Sequence, residues 1–134
     1  MTVLQTETVP VMTDMDVVQA RQIVRKWAVD GGFKLIDQTK IVTAASELAR
    51  NTLIHGGGGT MRITLHNDAA RRALELVFED SGPGIADIQQ ALRDGFTTGN
   101  GLGMGLGGAK RLMNEFQIHS TPGQGTRVSV KRWK

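Results

Sequence analysis

Residues Met61 to Gly84 carry the clearest fold signal in the chain and read MRITLHNDAARRALELVFEDSGPG. Apolar residues occupy every second position at 61, 63 and 65 and again at 74, 76 and 78, and the polar stretch between the two runs is typical of a turn. The segment therefore predicts an antiparallel hairpin with one buried face. Because side chains alternate along a strand, Asp80 falls on the same face as Phe78. A carboxylate is costly to bury without a donor, so Asp80 is expected to meet one.

The elements around this hairpin are predicted from periodicity and end signals. Upstream, Val3–Val11 is a strand that Pro10 confines to a sheet edge, and Thr13 begins a helix that ends at Gly31. A second helix begins near Asp37 as its N-cap and ends at Gly56 to Gly59. Downstream follow helices at 88–93 and 106–114 and strands around 116–118 and 126–130. Antiparallel strands beside helices predict an α+β two-layer sandwich.

Length and composition exclude several classes of protein. The chain has 134 residues, which fits one domain over 1–134, and it has no cysteine, which excludes disulfides and thiolate metal sites. A net charge of +3 is too weak to indicate nucleic acid. No run approaches the roughly 18 apolar residues of a membrane-spanning helix, and the N-terminus has no signal-peptide pattern. We therefore expect a cytoplasmic protein with no nucleic-acid or membrane partner.

Two polar residues of the second helix, Glu47 and Asn51, are four positions apart and therefore neighbours on one face. They fall at the edge of the apolar face, where a polar shoulder is common. A lone pair of this kind carries no functional assignment by itself. His55 continues the same face, but it has no second histidine at metal-ligand spacing, which is typical of a surface or helix-end residue.

The donor that Asp80 requires has two possible sources. One is a backbone N–H of the following turn, which would make an Asx-turn. The other is the amine of a ligand. Gly82 and Gly84 carry no side chains, so a flat group could lie against the backbone beside Asp80.

Glycine is concentrated in residues 95–108, where seven of fourteen positions are glycine. The run Gly103–Gly108 matches G-x-G-x-x-G, but no strand and acidic residue frame it as in a dinucleotide-binding fold. A Walker A motif is also excluded, because Lys110 follows Ala109 and no Gly-Lys-Ser/Thr occurs. Glycine amides that lead into a helix suit phosphate binding; a flexible linker is the alternative.

Three motifs taken together resemble a known family. They are ELARN at 47–51, DSGPG at 80–84 and GLGMGLG at 101–107. In this order they resemble the N, G1 and G2 boxes of the GHKL ATPase superfamily, and the resemblance covers nearly the whole chain. Within the superfamily, the chain is similar to the small serine/threonine kinases of bacterial partner-switching systems. The resemblance implies the Bergerat fold, with a mixed, mostly antiparallel sheet and helices on one face.

The resemblance also implies roles for particular residues. Asn51 would hold the Mg²⁺ that bridges the phosphates of ATP, and Glu47 would be the catalytic base for the target hydroxyl. Asp80 would accept from the adenine amino group, and the region 95–108 would be the ATP lid. Lys110 or Arg50 would meet the γ-phosphate. The implied cofactor-binding residues are Asn51, Asp80, Gly82, Gly84, Gly101, Gly103, Gly105, Gly107, Thr126 and Lys110.

The function implied is an ATP-dependent serine/threonine protein kinase of a stressosome-type pathway. Its substrate would be a STAS-domain antagonist or scaffold protein, and a PP2C-type phosphatase would be a further partner. Two alternatives remain open: an anti-sigma serine kinase that binds a sigma factor, and a nucleotide-gated binding module without phosphotransfer.

Overall fold

The computed structural model of the chain describes residues 2–93 and 105–134. Gly101 and Gly103, two of the predicted phosphate-binding glycines, lie outside these residues. The described elements, in chain order, are β1 (Thr2–Val11), α1 (Asp14–Asp30), α2 (Leu35–Ile54), β2 (Gly59–Asp68), β3 (Arg71–Asp80), α3 (Ile88–Ala91), α4 (Gly105–Leu112), β4 (Glu115–Thr121) and β5 (Gly125–Trp133).

The strands form one sheet in the order β1-β2-β3-β5-β4. The predicted hairpin is confirmed, with Met61 opposite Phe78 and Leu65 opposite Leu74. Pro10 lies on β1 at the edge of the sheet, as its missing N–H requires. All pairings among the described strands are antiparallel, so this part of the chain contains no parallel pair of a mixed sheet.

The two long helices begin in different ways. In α1, the hydroxyl of the N-cap Thr13 accepts from the N–H of Asp16 at 3.0 Å, as predicted. The prediction that Asp37 caps α2 is wrong, because the helix begins at Leu35 and its N-cap, Lys34, makes no side-chain cap bond. Asp37 lies in the first turn, where the helix dipole favours an acid. Its carboxylate instead accepts from Arg132 of β5 at 2.8 Å.

The core fills the space between the helices and one face of the sheet. Ile41 and Leu48 of α2 are buried in the same cluster as Ile63, Leu76 and Phe78 of the sheet. The opposite face, which we call the open face, carries exposed charged pairs such as Glu79 with Arg127. The two-layer sandwich is therefore confirmed, with its helices on one side. No helix within 2–93 or 105–134 has the length and apolar character needed to cross a bilayer.

Candidate functional site

A cavity of about 380 Å³ opens at the end of the sheet where β3 stops. Its walls come from the second half of α2, the loop after β3, the helices α3 and α4, and the strand β5. Most of the wall is apolar, with Leu48, Phe78, Ile85 and Val128 among its members. A largely apolar cavity with a few convergent polar groups is the usual form of a small-molecule site.

Asp80 is the last residue of β3 and lines this cavity beside Phe78. One carboxylate oxygen, Oδ1, accepts from the N–H of Gly82 at 2.9 Å, so the Asx-turn is confirmed for that oxygen. The other oxygen, Oδ2, has no hydrogen-bond partner within 2–93 and 105–134. Gly56 makes this placement possible, since a Cβ there would overlap the Asp80 carboxyl group. The turn therefore orients Asp80 and leaves one acceptor for a ligand.

Asn51 and Glu47, the two polar residues singled out on α2, lie in different surroundings. Asn51 is half-buried and lines the cavity. Glu47 lies one turn earlier and is not part of the cavity wall; its Oε2 accepts from the N–H of Gly105 at 3.2 Å. Glu47 therefore joins α2 to the start of α4, at the border of the cavity. His55 is the C-cap of α2, as predicted, and it also lines the cavity.

The loop after β3 packs against both of its neighbours at glycines. Gly84 has a φ of +77°, and a Cβ there would overlap the carbonyl of Thr121. The adjacent carbonyl of Pro83 accepts from the N–H of Gly123 at 2.7 Å. Gly84 lines the cavity, whereas Gly82 packs against the backbone of Gly56 and does not reach the cavity wall. Of the two predicted base-binding glycines, only Gly84 thus borders the cavity.

Three predicted residues lie on α4, and the structure separates them. Gly105 lines the cavity. Gly107 is buried against the backbone of Leu92, where a Cβ would overlap the carbonyl, and it is not in the cavity wall. Lys110 is exposed and its Nζ lies 6.0 Å from the centre of the Phe116 ring, also outside the wall. Arg50, the other candidate for the γ-phosphate, is exposed on α2 and is likewise absent from the wall.

Thr126 of β5 completes the polar part of the wall. It pairs with Asp80 across the two strands, and both residues line the cavity. Its hydroxyl lies 2.8 Å from that of Ser120, a β4 residue that sequence reasoning did not select. The apolar lining and the cavity residues Thr52 and Gln90 were missed as well. These residues lie on elements that are far apart in sequence, so no local motif could have identified them.

The cavity offers few side chains that could bind a divalent cation. No group of three or more histidine or acidic side chains within 2–93 and 105–134 could hold a metal by itself. Mg²⁺ bound through phosphate oxygens and waters needs only one or two protein oxygens, and the amide of Asn51 in the cavity is such a ligand. The described residues therefore fit a magnesium ion that arrives with a phosphate ligand.

Comparisons with known proteins agree with this geometry. The profile of the histidine kinase-, DNA gyrase B- and HSP90-like ATPases matches residues 36–134. The serine/threonine-protein kinase RsbT of Bacillus subtilis is 46% identical over 93% of this chain and 94% of its own length. The anti-sigma F factor of Clostridium novyi is 33% identical over 70% of this chain and 69% of its own length.

Solved structures show the same fold at low identity. The RsbU and RsbW domains of a Mycobacterium tuberculosis protein match with a TM-score of 0.63 at 19% identity, over 96% of this chain and 32% of that one. The SiaB-SiaC complex of Pseudomonas aeruginosa matches with a TM-score of 0.56 at 10% identity, over 98% of this chain and 91% of that one. The chain belongs to the family of histidine kinase-, DNA gyrase B- and HSP90-like ATPases.

Proposed function

We propose that this protein binds Mg-ATP in the cavity and phosphorylates a serine or threonine of a partner protein. The observation that carries the proposal is the placement of Asn51 and Asp80 on the wall of one cavity, on different elements. Asp80 has an acceptor oxygen for the amino group of adenine. Asn51 has an amide oxygen for the cation that accompanies the phosphates.

Glu47 is the proposed general base. In the transfer, the hydroxyl oxygen of the target residue forms a bond to the γ-phosphorus, the bond from that phosphorus to the β–γ bridging oxygen breaks, and ADP leaves. The hydroxyl proton passes to the Glu47 carboxylate. A bound Mg²⁺ would neutralise the phosphate charge, and the protein would align the reacting groups; positioning and electrostatic stabilisation together account for most of the catalysis of phosphoryl transfer.

The position of Glu47 supports this role. One helix, α2, carries Glu47 and Asn51 one turn apart, so the base and the cation ligand keep a fixed spacing. The hydrogen bond from Gly105 to Glu47 holds the carboxylate at the border of the cavity. In this proposal Glu47 accepts the proton beside the phosphates, and Asp80 accepts from the amino group of the base.

The relatives favour a kinase that acts on a protein partner. Identity is highest, among those given above, to RsbT, named a serine/threonine-protein kinase, and it extends over nearly all of both chains. The proteins named anti-sigma F factors are 30–33% identical. We propose a STAS-domain protein as the substrate, a stressosome scaffold as the assembly that holds it, and a PP2C-type phosphatase as a further partner.

The test is transfer to a partner measured by intact mass. The full chain is incubated with Mg-ATP and candidate STAS-domain proteins, and one added phosphate group on the partner is expected. The modified residue is then identified and replaced with alanine, which should abolish the mass increase. A chain that binds ADP in calorimetry but leaves every partner unmodified would contradict the kinase proposal and favour a nucleotide-gated binding module.

A further inference from the structure

The hydroxyl of Ser120 joins two walls of the cavity without lining it. Ser120 accepts from the N–H of Ile85 at 2.7 Å. It lies 2.8 Å from the Thr126 hydroxyl, and it is placed to donate to the carbonyl of Gly125 at 3.2 Å. Ile85 and Thr126 line the cavity, whereas Ser120 does not. One side chain on β4 therefore holds both the loop after β3 and the polar residue of β5.

A count of protons fixes the direction of these hydrogen bonds. A serine hydroxyl has one proton and two lone pairs. The N–H of Ile85 can only donate, and the carbonyl of Gly125 can only accept. If all three contacts are hydrogen bonds, Ser120 gives its proton to Gly125, and Thr126 must donate to Ser120. The Thr126 hydroxyl then has lone pairs but no proton left for the cavity.

Asp80 presents an acceptor on the same wall. It pairs with Thr126 in the register of β3 and β5, and directly opposed residues have Cβ atoms about 4.5–5.5 Å apart. Its Oδ2 has no hydrogen-bond partner in the described part of the chain. A wall of two acceptors complements a ligand group that carries two N–H donors. A ligand with an oxo group in this place would bring a third acceptor against Asp80 and Thr126. A ring with no substituent there would leave both residues without a hydrogen-bond donor.

We propose that Ser120 is a positioning residue that makes Thr126 an acceptor and so makes the site prefer a 6-amino purine. The inference rests on the proposed function, because it assumes that a nucleotide base lies beside Asp80 and Thr126. It adds a role for Ser120, which does not line the cavity and acts on the ligand through Thr126.

The test compares two ligands in calorimetric titrations of the full chain. ADP carries the 6-amino group, and purine riboside 5′-diphosphate lacks it. In Ser120→Ala, the preference for ADP over the second ligand should fall by about 3- to 10-fold, the value of one hydrogen bond. Loss of the bond to Ile85 weakens both ligands alike, so the ratio of the two affinities isolates the effect on Thr126.

Three further variants separate positioning from simple damage. Ser120→Thr keeps the hydroxyl and should keep the preference. Ser129→Ala is the matched control on β5, where the serine pairs with Val77 and Gln117 and does not line the cavity; it should change neither affinity. If Ser120→Ala does not fold, Ser120→Cys, whose thiol is a weak hydrogen-bonding group of similar size, should lower the preference in the same direction.

A double variant tests the route through Thr126. Thr126→Val removes the acceptor, so adding Ser120→Ala to it should leave the preference for ADP unchanged. The inference is overturned if the Ser120 variants keep the wild-type preference, or if Ser120→Ala lowers it equally with and without Thr126. Either result leaves the proposed function standing when the wild-type chain binds ADP. Absence of ADP binding by the wild-type chain would overturn the proposed function and this inference together.

Discussion

The two ends of the β3–β5 strand pair serve different purposes. At one end Asp80 pairs with Thr126, and at the other Ala73 pairs with Trp133. The Asp80 end borders the cavity and leaves acceptor atoms available there. At the Trp133 end the indole N–H donates to Glu115 at 2.7 Å, and the Arg71 guanidinium lies 4.8 Å from the ring centre.

The neighbouring Arg132 also makes contacts within the chain at the Trp133 end. Its guanidinium donates to the carbonyl of Leu112 at 2.9 Å and to Asp37 at 2.8 Å, and both charged side chains are largely buried. Contacts at this end therefore stabilise the fold, whereas Asp80 and Thr126 at the other end line the cavity in which we propose that the nucleotide binds. Substitutions at the Trp133 end should therefore change stability, and substitutions at the Asp80 end should change function.

The largest effect is expected for Glu47→Gln, at the border of the cavity. Glutamine can still accept from the N–H of Gly105, but it cannot take a proton, so transfer to the partner should slow by at least about 100-fold. ADP affinity and the midpoint of thermal unfolding should stay at wild-type values. Initial rates of phosphorylation measure the effect, with Glu79→Gln on the open face as the control. Wild-type rates in Glu47→Gln would remove Glu47 as the base.

Asp80→Asn should weaken ATP binding by about 100-fold or more, beyond detection by calorimetry. The amide oxygen can keep the hydrogen bond from Gly82, but the cavity would then face an NH₂ group where an acceptor is needed. The matched control is Asp87→Asn, since Asp87 also lines the cavity but uses its carboxylate to cap α3. Unchanged affinity in Asp80→Asn would contradict the assignment of Asp80 to the base.

A substitution at the Trp133 end should have the opposite signature. Arg132→Ala leaves the partly buried Asp37 without its ion pair and should lower the free energy of unfolding by about 2–3 kcal/mol. Under conditions in which the variant is fully folded, its affinity for ADP should change by less than about twofold, because the cavity lies at the far end of the strands. Urea unfolding measures the free energy of unfolding, and a separate calorimetric titration measures the affinity for ADP. A large loss of ADP affinity would contradict the separation of the two ends.

Two glycines of the Asp80 end provide a finer test of close packing. Gly82→Ala places a Cβ against the backbone of Gly56 and should cost about 1–3 kcal/mol of unfolding free energy. Gly123→Ala meets no atom within 4 Å, so only its φ of +81° opposes the change, and about 1 kcal/mol is expected. If both variants lose the same unfolding free energy in urea, the backbone of Gly56 does not pack tightly against Gly82.

The smallest effect is expected for Arg127→Ala on the open face. Arg127 lies 3.7 Å from Glu79, and about half of each side chain is exposed, so the pair should contribute less than about 1 kcal/mol. Urea unfolding in low and moderate salt measures it. A cost equal to that of Arg132→Ala would mean that burial does not distinguish the two arginines.

Local patterns predicted the elements well where they depended on neighbours in the chain. The alternation at 61–65 and 74–78 predicted the hairpin and the inward side of Asp80, and Thr13 marked the start of α1. The same reasoning failed at Asp37, whose carboxylate is used by Arg132, a residue 95 positions away. A capping pattern cannot reveal a competing partner on a distant strand.

The candidate site was predicted only in part for the same reason. Asn51, Asp80, Gly84, Gly105 and Thr126 border the cavity, whereas Gly82, Gly107 and Lys110 lie outside its wall. Gly101 and Gly103 fall outside the described residues. A motif records which residues occur together, but not whether a glycine meets a ligand or another backbone.

Short-range patterns in the chain were enough to predict the order of the elements, the hairpin, the inward side of Asp80 and, through three motifs, the family. These features depend on periods of 2 and 3.6 residues and on short spacings, which are local properties of the chain. The folded chain was needed to show which oxygen of Asp80 the Asx-turn uses, that Glu47 accepts from Gly105, and that Ser120 contacts both Ile85 and Thr126. Those contacts join elements far apart in sequence, and packing of the sheet against the helices brings them together.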